Sequence, residues 1–174
     1  MADEDDIEEM PPPLGLYAGE MLSRAKQYLE AFKVLSGAQD LPYPTYFCLS
    51  HSLELFLKAF LASHGLSKKA LKESSIRHNP EKLFEKCKEH GLADIDLLKE
   101  LSERLQDMNS APTYDFRYPS GYILHLPPIE QAISILADLC GAITPQIESM
   151  ASRANLNFAS DTRHLRPKKI RWSD

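Results

Sequence analysis

The chain has 174 residues, 43% of them hydrophobic and 26% charged, with a formal net charge of −5; this suits one domain whose core stands without metals or disulfides, and excludes a disordered or fibrous chain. Its three cysteines (Cys48, Cys87, Cys140) lie among apolar residues with no Cys-x-x-Cys pair, which excludes a disulfide framework and reads as reduced, buried thiols. No apolar run reaches the roughly 18–20 residues of a membrane span, and the opening MADEDDIEEM is acidic where a secretory signal is basic, so no membrane association and a cytoplasmic location are expected.

The charge is unevenly placed: residues 1–10 carry −6 and residues 151–174 carry +4, leaving −3 between them. Ends of that kind are expected to be solvated, an acidic disordered tail at 1–13 and a basic tail at 151–174. The basic end can also meet phosphate, or the acidic tail of a neighbouring chain.

A first helix is predicted from Leu14 to Ser36, where Tyr17, Met21, Ala25, Tyr28, Phe32 and Leu35 recur at steps of three and four. Gly37 supplies a stop, and Leu41-Pro42-Tyr43-Pro44 leads to Thr45 as the next cap. The segment that follows, TYFCLSHSLELFLKAFLASH from Thr45 to His64, is the one the rest must pack around. On a helix its polar residues Ser50, His51, Glu54 and Lys58 share a sector of roughly 100°, and apolar residues cover most of the remainder. A surface helix has the reverse proportions, so this one is expected to be central and mostly buried.

Gly65 ends that helix, and Lys68 to Glu73 adds one turn. His78-Asn79-Pro80-Glu81 reads as a helix start, with Asn79 as N-cap and Pro80 in the first position. Leu83, Phe84 and Cys87 face the core before a stop at Gly91. Asp94 is expected to cap a fourth helix with a Leu98, Leu101, Leu105, Met108 stripe. After Pro127 and Pro128 a last helix turns Ile129, Ala132, Ile133, Leu136, Leu139, Cys140, Ile143, Ile147 and Met150 inward, with Pro145 kinking or breaking it. Neither strand-like alternation nor a solenoid period appears. The expectation is an all-α antiparallel bundle of about five helices over residues 14–150.

Two groups of residues can carry chemistry. On the central helix His51 and Glu54 are i,i+3 neighbours and Glu54 and Lys58 are i,i+4 neighbours. A histidine and a carboxylate so spaced can share a metal, but a bundle metal site needs a second such pair on a core-facing helix, and none occurs. No metal or other cofactor is therefore expected, and the plain reading is a Glu54–Lys58 surface pair with His51 bonded to a neighbouring loop. The second group is the connection NSAPTYDFRYPSGYILHL, where Tyr114, Phe116, Tyr118 and Tyr122 surround Arg117. Aromatics interleaved with arginine stack bases and pair with phosphate. The same residues serve a loop folded back on the bundle, with Asp115 and Arg117 satisfying each other, or a subunit interface. His64 and His90 stand at helix C-termini, His78 precedes an N-cap and His164 lies in the basic end. No glycine-rich phosphate loop or GxSxG elbow is present.

Three blocks carry a family resemblance. Leu53 to Leu61, LELFLKAFL, is similar to an E-x-x-LKA-x-L helix; His78-Asn79-Pro80-Glu81-Lys82-Leu83-Phe84 with Gly91-Leu92 is similar to an HDL-x-x-L…GL block; Tyr114-Asp115-Phe116-Arg117-Tyr118-Pro119 is similar to a Y…RYP segment. In that order they resemble the HEPN domain superfamily over roughly residues 14–150. The resemblance implies an all-α bundle, frequent homodimers, and RNA-related, toxin–antitoxin or defence roles. Its active members are metal-independent endoribonucleases whose motif is an Arg, four to six residues, then a His, the His acting as base on the 2′-hydroxyl. Here Arg117 and His125 are separated by seven residues, and Pro119 and Gly121 argue against one helical turn.

The expectation is thus a homodimeric binding or regulatory module for RNA, a nucleotide or a partner protein, with Tyr114, Asp115, Arg117, Tyr118, His51, Glu54 and Lys58 as contact residues. The alternatives are a diverged ribonuclease using Arg117 and His125, with Tyr118 or Glu54 assisting, and a structural protein-interaction subunit whose charged tails pair with other chains.

Overall fold

The apolar segment beginning at Thr45 is helical and central in a computed structural model, which describes residues 7–38, 40–109, 126–163 and 169–172, without the side chains of Glu9 and Asn109. Among these residues the elements run β1 (Ile7–Met10), α1 (Leu14–Leu35), α2 (Pro42–Ser63), α3 (Lys68–Leu71), α4 (Pro80–Glu89), α5 (Leu98–Asn109), α6 (Ile129–Asp161) and β2 (Lys169–Trp172). Fifteen of the 22 residues of α2 are buried against seven of the 22 in α1, which decides which helix is the axis. The contacts give the directions. Phe32 meets Tyr46, Tyr28 meets His51, and the Ser52 hydroxyl donates to the Ala25 carbonyl at 2.8 Å, so α1 and α2 are antiparallel. Gly15 meets Ala154 and Gly19 meets Ala151, so α1 and α6 are antiparallel too.

Buried polar groups on α2 tie it to each neighbour. Tyr46 donates to the Pro127 carbonyl at 2.7 Å, at the entrance to α6, and the Cys87 thiol of α4 donates to the Leu57 carbonyl at 3.4 Å. Burial holds the Cys87 and Cys48 thiols above their ordinary range, and it also raises the Tyr46 phenol, beside which Glu130 acts in the same sense. The core is filled by Phe32, Leu49, Leu53, Phe56, Leu57, Leu61, Leu83, Leu98, Leu105, Leu136 and Leu139.

Most helix ends follow local chemistry. Asn79 caps α4 by accepting from the Lys82 amide at 2.9 Å, with Pro80 next. Gly65 (φ +95°) and Gly91 (φ +85°) each follow a C-terminal cap, and the amides of Leu66 and Leu92 reach back to the carbonyls of Leu61 and Cys87, which closes α2 and α4 in the six-to-one pattern.

Two expected caps are corrected. Thr45 lies one turn inside α2, because Pro42 opens the helix earlier, and its hydroxyl donates to the Leu41 carbonyl at 2.5 Å. Asp94 does not cap α5; its carboxylate takes the Lys88 ammonium, and the helix opens after Leu97, a non-glycine residue at φ 59° whose carbonyl accepts from Leu101. Pro145 does not break α6, which runs unbroken to Asp161. Gly141 and Pro145 both face solvent, so water can take the carbonyl that Pro145 leaves without a donor.

The boundary expected after Met150 therefore lies inside α6. The helix is used beyond it because α1 presents Gly15 and Gly19 to its last turns. A Cβ on Gly15 would stand 2.7 Å from the Ala154 Cβ and 2.9 Å from the Met150 carbonyl oxygen. Gly15→Ala gains at most about 1 kcal/mol in helix propensity, less in a first turn, while pushing α6 away costs about 1–3 kcal/mol. The variant is expected to unfold at lower urea concentration than the parent with an unchanged slope.

The expected terminal tails also meet. The acidic strand IEEM and the basic strand KIRW pair in parallel, Ile7 opposite Lys169 and Met10 opposite Trp172. Trp172 packs on Phe158 near the end of α6 with ring centroids 5.1 Å apart, which anchors β2. Four residues are too few for alternation to show in sequence. No helix among the described residues is long and apolar enough to cross a membrane.

Candidate functional site

The polar stripe of α2 is the floor of a groove. Its spacing puts His51, Glu54 and Lys58 on one side of the helix, facing α1, from which Tyr17, Glu20, Arg24 and Tyr28 line the same space. The chain between α3 and α4 folds across the far side and adds Lys72, Arg77 and His78. The groove is open to solvent and has a volume of about 580 Å³.

Glu54 is the centre of this arrangement. It was expected in a surface pair, but it is 7% exposed and Lys58 is 9% exposed. Tertiary packing of the 72–78 segment over α2 covers a pair that the helix alone would leave wet. The Lys58 ammonium donates to Glu54 Oε1 at 2.6 Å and to the Arg77 carbonyl at 2.5 Å. His78 Nδ1 lies 3.3 Å from both Glu54 oxygens. On the other ring nitrogen, Nε2 accepts from Arg77 Nε at 3.0 Å. An accepting Nε2 leaves Nδ1 as the nitrogen that donates to Glu54. His51 Nδ1 stands 4.0 Å from Glu54 Oε2, with its ring edge-on to Tyr28 at 4.5 Å and nearly parallel to Phe47 at 5.9 Å.

The charge of the groove is opposite to that of the chain. Arg24, Lys58, Lys72 and Arg77 face Glu20 and Glu54, a balance of +2 with both histidines neutral, on a chain of −5. Glu54 is committed to Lys58 and His78, and Glu20 stands 3.9 Å from Arg24 in an exposed pair that water screens. Among the described residues no group of three or more His, Cys, Asp or Glu side chains is placed to hold a metal ion. The arrangement suits an anion, with Arg24 on α1, Lys58 on α2 and Lys72 and Arg77 on the segment beyond α3 lining the same space.

Of the expected contact residues, the structure brings His51, Glu54 and Lys58 into one cluster. Tyr114, Asp115, Arg117 and Tyr118, with His125, lie outside the described residues. Sequence reasoning missed Arg77 and His78 as site residues. The available signal was the Asn79-Pro80 helix start, which fixes how the chain enters α4 and hence what the preceding residue reaches. His64 and His90 do cap helix C-termini, with ring centroids 6.0 Å apart. No protein-family model, curated protein or solved structure matches this chain.

Proposed function

We propose that the chain is an HEPN-like helical module that binds a phosphate-bearing ligand, with RNA as its class, in the groove between α1, α2 and the 72–78 segment. The observation that carries this is the positive groove on an acidic chain, with Arg24, Lys72 and Arg77 around the covered Glu54–Lys58–His78 cluster. Two of the three blocks of family resemblance supply Glu54, Lys58 and His78, and the three side chains touch, which supports the kinship. The same reading has the module act as a cytoplasmic homodimer.

Anisotropy of a labelled single-stranded RNA is the test. Affinity is expected to fall steeply with salt as phosphate contacts release counterions. Arg24→Ala and Arg77→Ala are each expected to weaken binding about tenfold and to reduce the salt slope by about 0.7. Binding unchanged in the double variant would remove RNA from this groove.

A second reading, RNA cleavage, is favoured by His78. A buried carboxylate orients its Nδ1, and Nε2 accepts from Arg77 Nε; on this reading Arg77 turns from Nε2 to a bound phosphate, which frees Nε2 as a general base next to a charge stabiliser. Cleavage in the presence of a chelator, lost in His78→Ala with RNA binding retained, is the expected result on that reading. Protein that binds RNA and leaves it intact is a module only.

A further inference from the structure

The C-termini of α2 and α4 arrive at the same place, and each carries a histidine as its cap. The rings of His64 and His90 lie with centroids 6.0 Å apart. A third group comes from α6, where Gln146 Nε2 stands 3.2 Å from His64 Nε2. His64 is oriented by its own helix. Its Nδ1 lies 2.9 Å from the Phe60 carbonyl, which can only accept, so Nδ1 carries the proton and Nε2 presents its lone pair to Gln146. The ring also lies against Phe60 with centroids 4.1 Å apart. An imidazole whose other nitrogen donates to a backbone carbonyl is the usual state of a histidine metal ligand.

The distances fit one shared ion. With metal–nitrogen bonds of about 2.0–2.1 Å, two imidazoles on one ion have centroids at most about 6.5 Å apart, and 6.0 Å lies inside that limit. Neighbouring ligand atoms on such an ion stand about 3.0–3.4 Å apart, which is the separation of His64 Nε2 from the Gln146 amide. Turning that amide about its last bond puts the carbonyl oxygen there instead of the nitrogen. The local field favours a cation, because a helix C-terminus carries partial negative charge and two of them end here. On the last turn of α4, Lys88 is bound to Asp94 and the Leu92 carbonyl, and Lys86 and Glu89 cancel in formal charge. The Glu54 cluster also holds two histidines but is the poorer candidate. Lys58 already takes its carboxylate, and Arg77 takes Nε2 of His78.

We propose that His64, His90 and Gln146 form a binding site for a divalent transition-metal ion of the zinc class, with two imidazole nitrogens and the amide oxygen as ligands and water completing the shell. The rings are half-buried and Gln146 is exposed, which leaves the water position open to solvent. Two imidazoles and one neutral oxygen make an exchangeable site rather than a structural one. The bound ion ties the ends of α2 and α4 to α6. The site is independent of the RNA reading and shares no residue with the groove around Glu54.

The test titrates zinc into the full chain against a chromophoric chelator, with magnesium as the hard-cation comparison, and follows thermal unfolding in parallel. One zinc per chain is expected, with a rise in melting temperature that magnesium at the same concentration does not give. His64→Ala and His90→Ala are each expected to weaken zinc about 100-fold and Gln146→Ala about tenfold. Gln146→Glu, a carboxylate at an exposed position, is expected to strengthen it about tenfold. His78→Gln should keep the parent's affinity. A melting temperature that zinc leaves unmoved, magnesium matching zinc, or affinity undiminished in both histidine-to-alanine variants overturns the proposal, since any binding is then adventitious. Loss of zinc in His78→Gln does so too, because the ion then sits at Glu54. The zinc–magnesium comparison and the Gln146→Glu gain stand even where a histidine variant fails to fold.

Discussion

Replacing Glu54 by alanine is expected to destabilise the fold by about 3–5 kcal/mol, the range for removing one partner of a buried ion pair. The cost is not the loss of an attraction alone. Lys58 is 9% exposed, and without Glu54 its ammonium keeps the Arg77 carbonyl and loses the only carboxylate within bonding distance among the described residues. His78 loses the acceptor for Nδ1 at the same time. Glu54→Gln keeps an oxygen for Lys58 and is expected to cost less. The double variant Glu54→Leu/Lys58→Met removes both charges and is expected to recover much of the loss, because well-packed apolar residues replace buried ion pairs at little net cost. Urea unfolding of the parent, Glu54→Leu, Lys58→Met and the double variant gives the coupling. A Glu54→Ala loss no greater than that of Glu20→Ala, whose pair with Arg24 is exposed, would show that water reaches the cluster. The double variant also separates stability from recognition, since it is expected to fold and yet to bind RNA less well than the parent.

Phe56→Ala is the second large effect. Phe56 is fully buried two residues along α2 from Glu54, on the side turned to the core. Truncation there leaves a cavity that a close-packed interior fills only partly, at a cost of about 3–5 kcal/mol. Leu156→Ala, at a side chain 72% exposed on the far part of α6, is expected to change stability by about 0.5 kcal/mol or less. Comparable losses for the two would mean that α2 is not the axis of the bundle.

The elements themselves were largely legible. The stripe Leu98, Leu101, Leu105, Met108 is buried as its spacing requires. Of the nine residues expected inward on α6, Ala132, Leu136, Leu139, Ile143 and Ile147 are buried, while Ile129, Ile133, Cys140 and Met150 are half-buried and Ile135 takes a core place instead. The Asn79-Pro80 start and the Gly65 and Gly91 stops are decided by a side-chain oxygen, a ring and a missing Cβ, each acting within a few residues. The expectations that failed depend on longer reach. Whether Thr45 caps or sits inside a helix turns on Pro42 being a better opening, and Asp94 is diverted by Lys88 across the α4–α5 turn. Pro145 is tolerated because its side of α6 is wet, which periodicity suggested only faintly.

By itself the sequence determined that the chain is helical, that the segment from Thr45 to His64 is its axis, and that acid gathers at one end and base at the other. Hydrophobic period and composition are local quantities, and so are the conclusions drawn from them. Tertiary structure alone decided that Glu54 and Lys58 are covered rather than exposed, that Arg77 and His78 complete their cluster from 19 to 24 residues away, and that the oppositely charged ends pair with each other within one chain. Burial and charge pairing depend on which distant segments arrive at the same place. That is set by packing the whole chain around one helix, not by any stretch read alone.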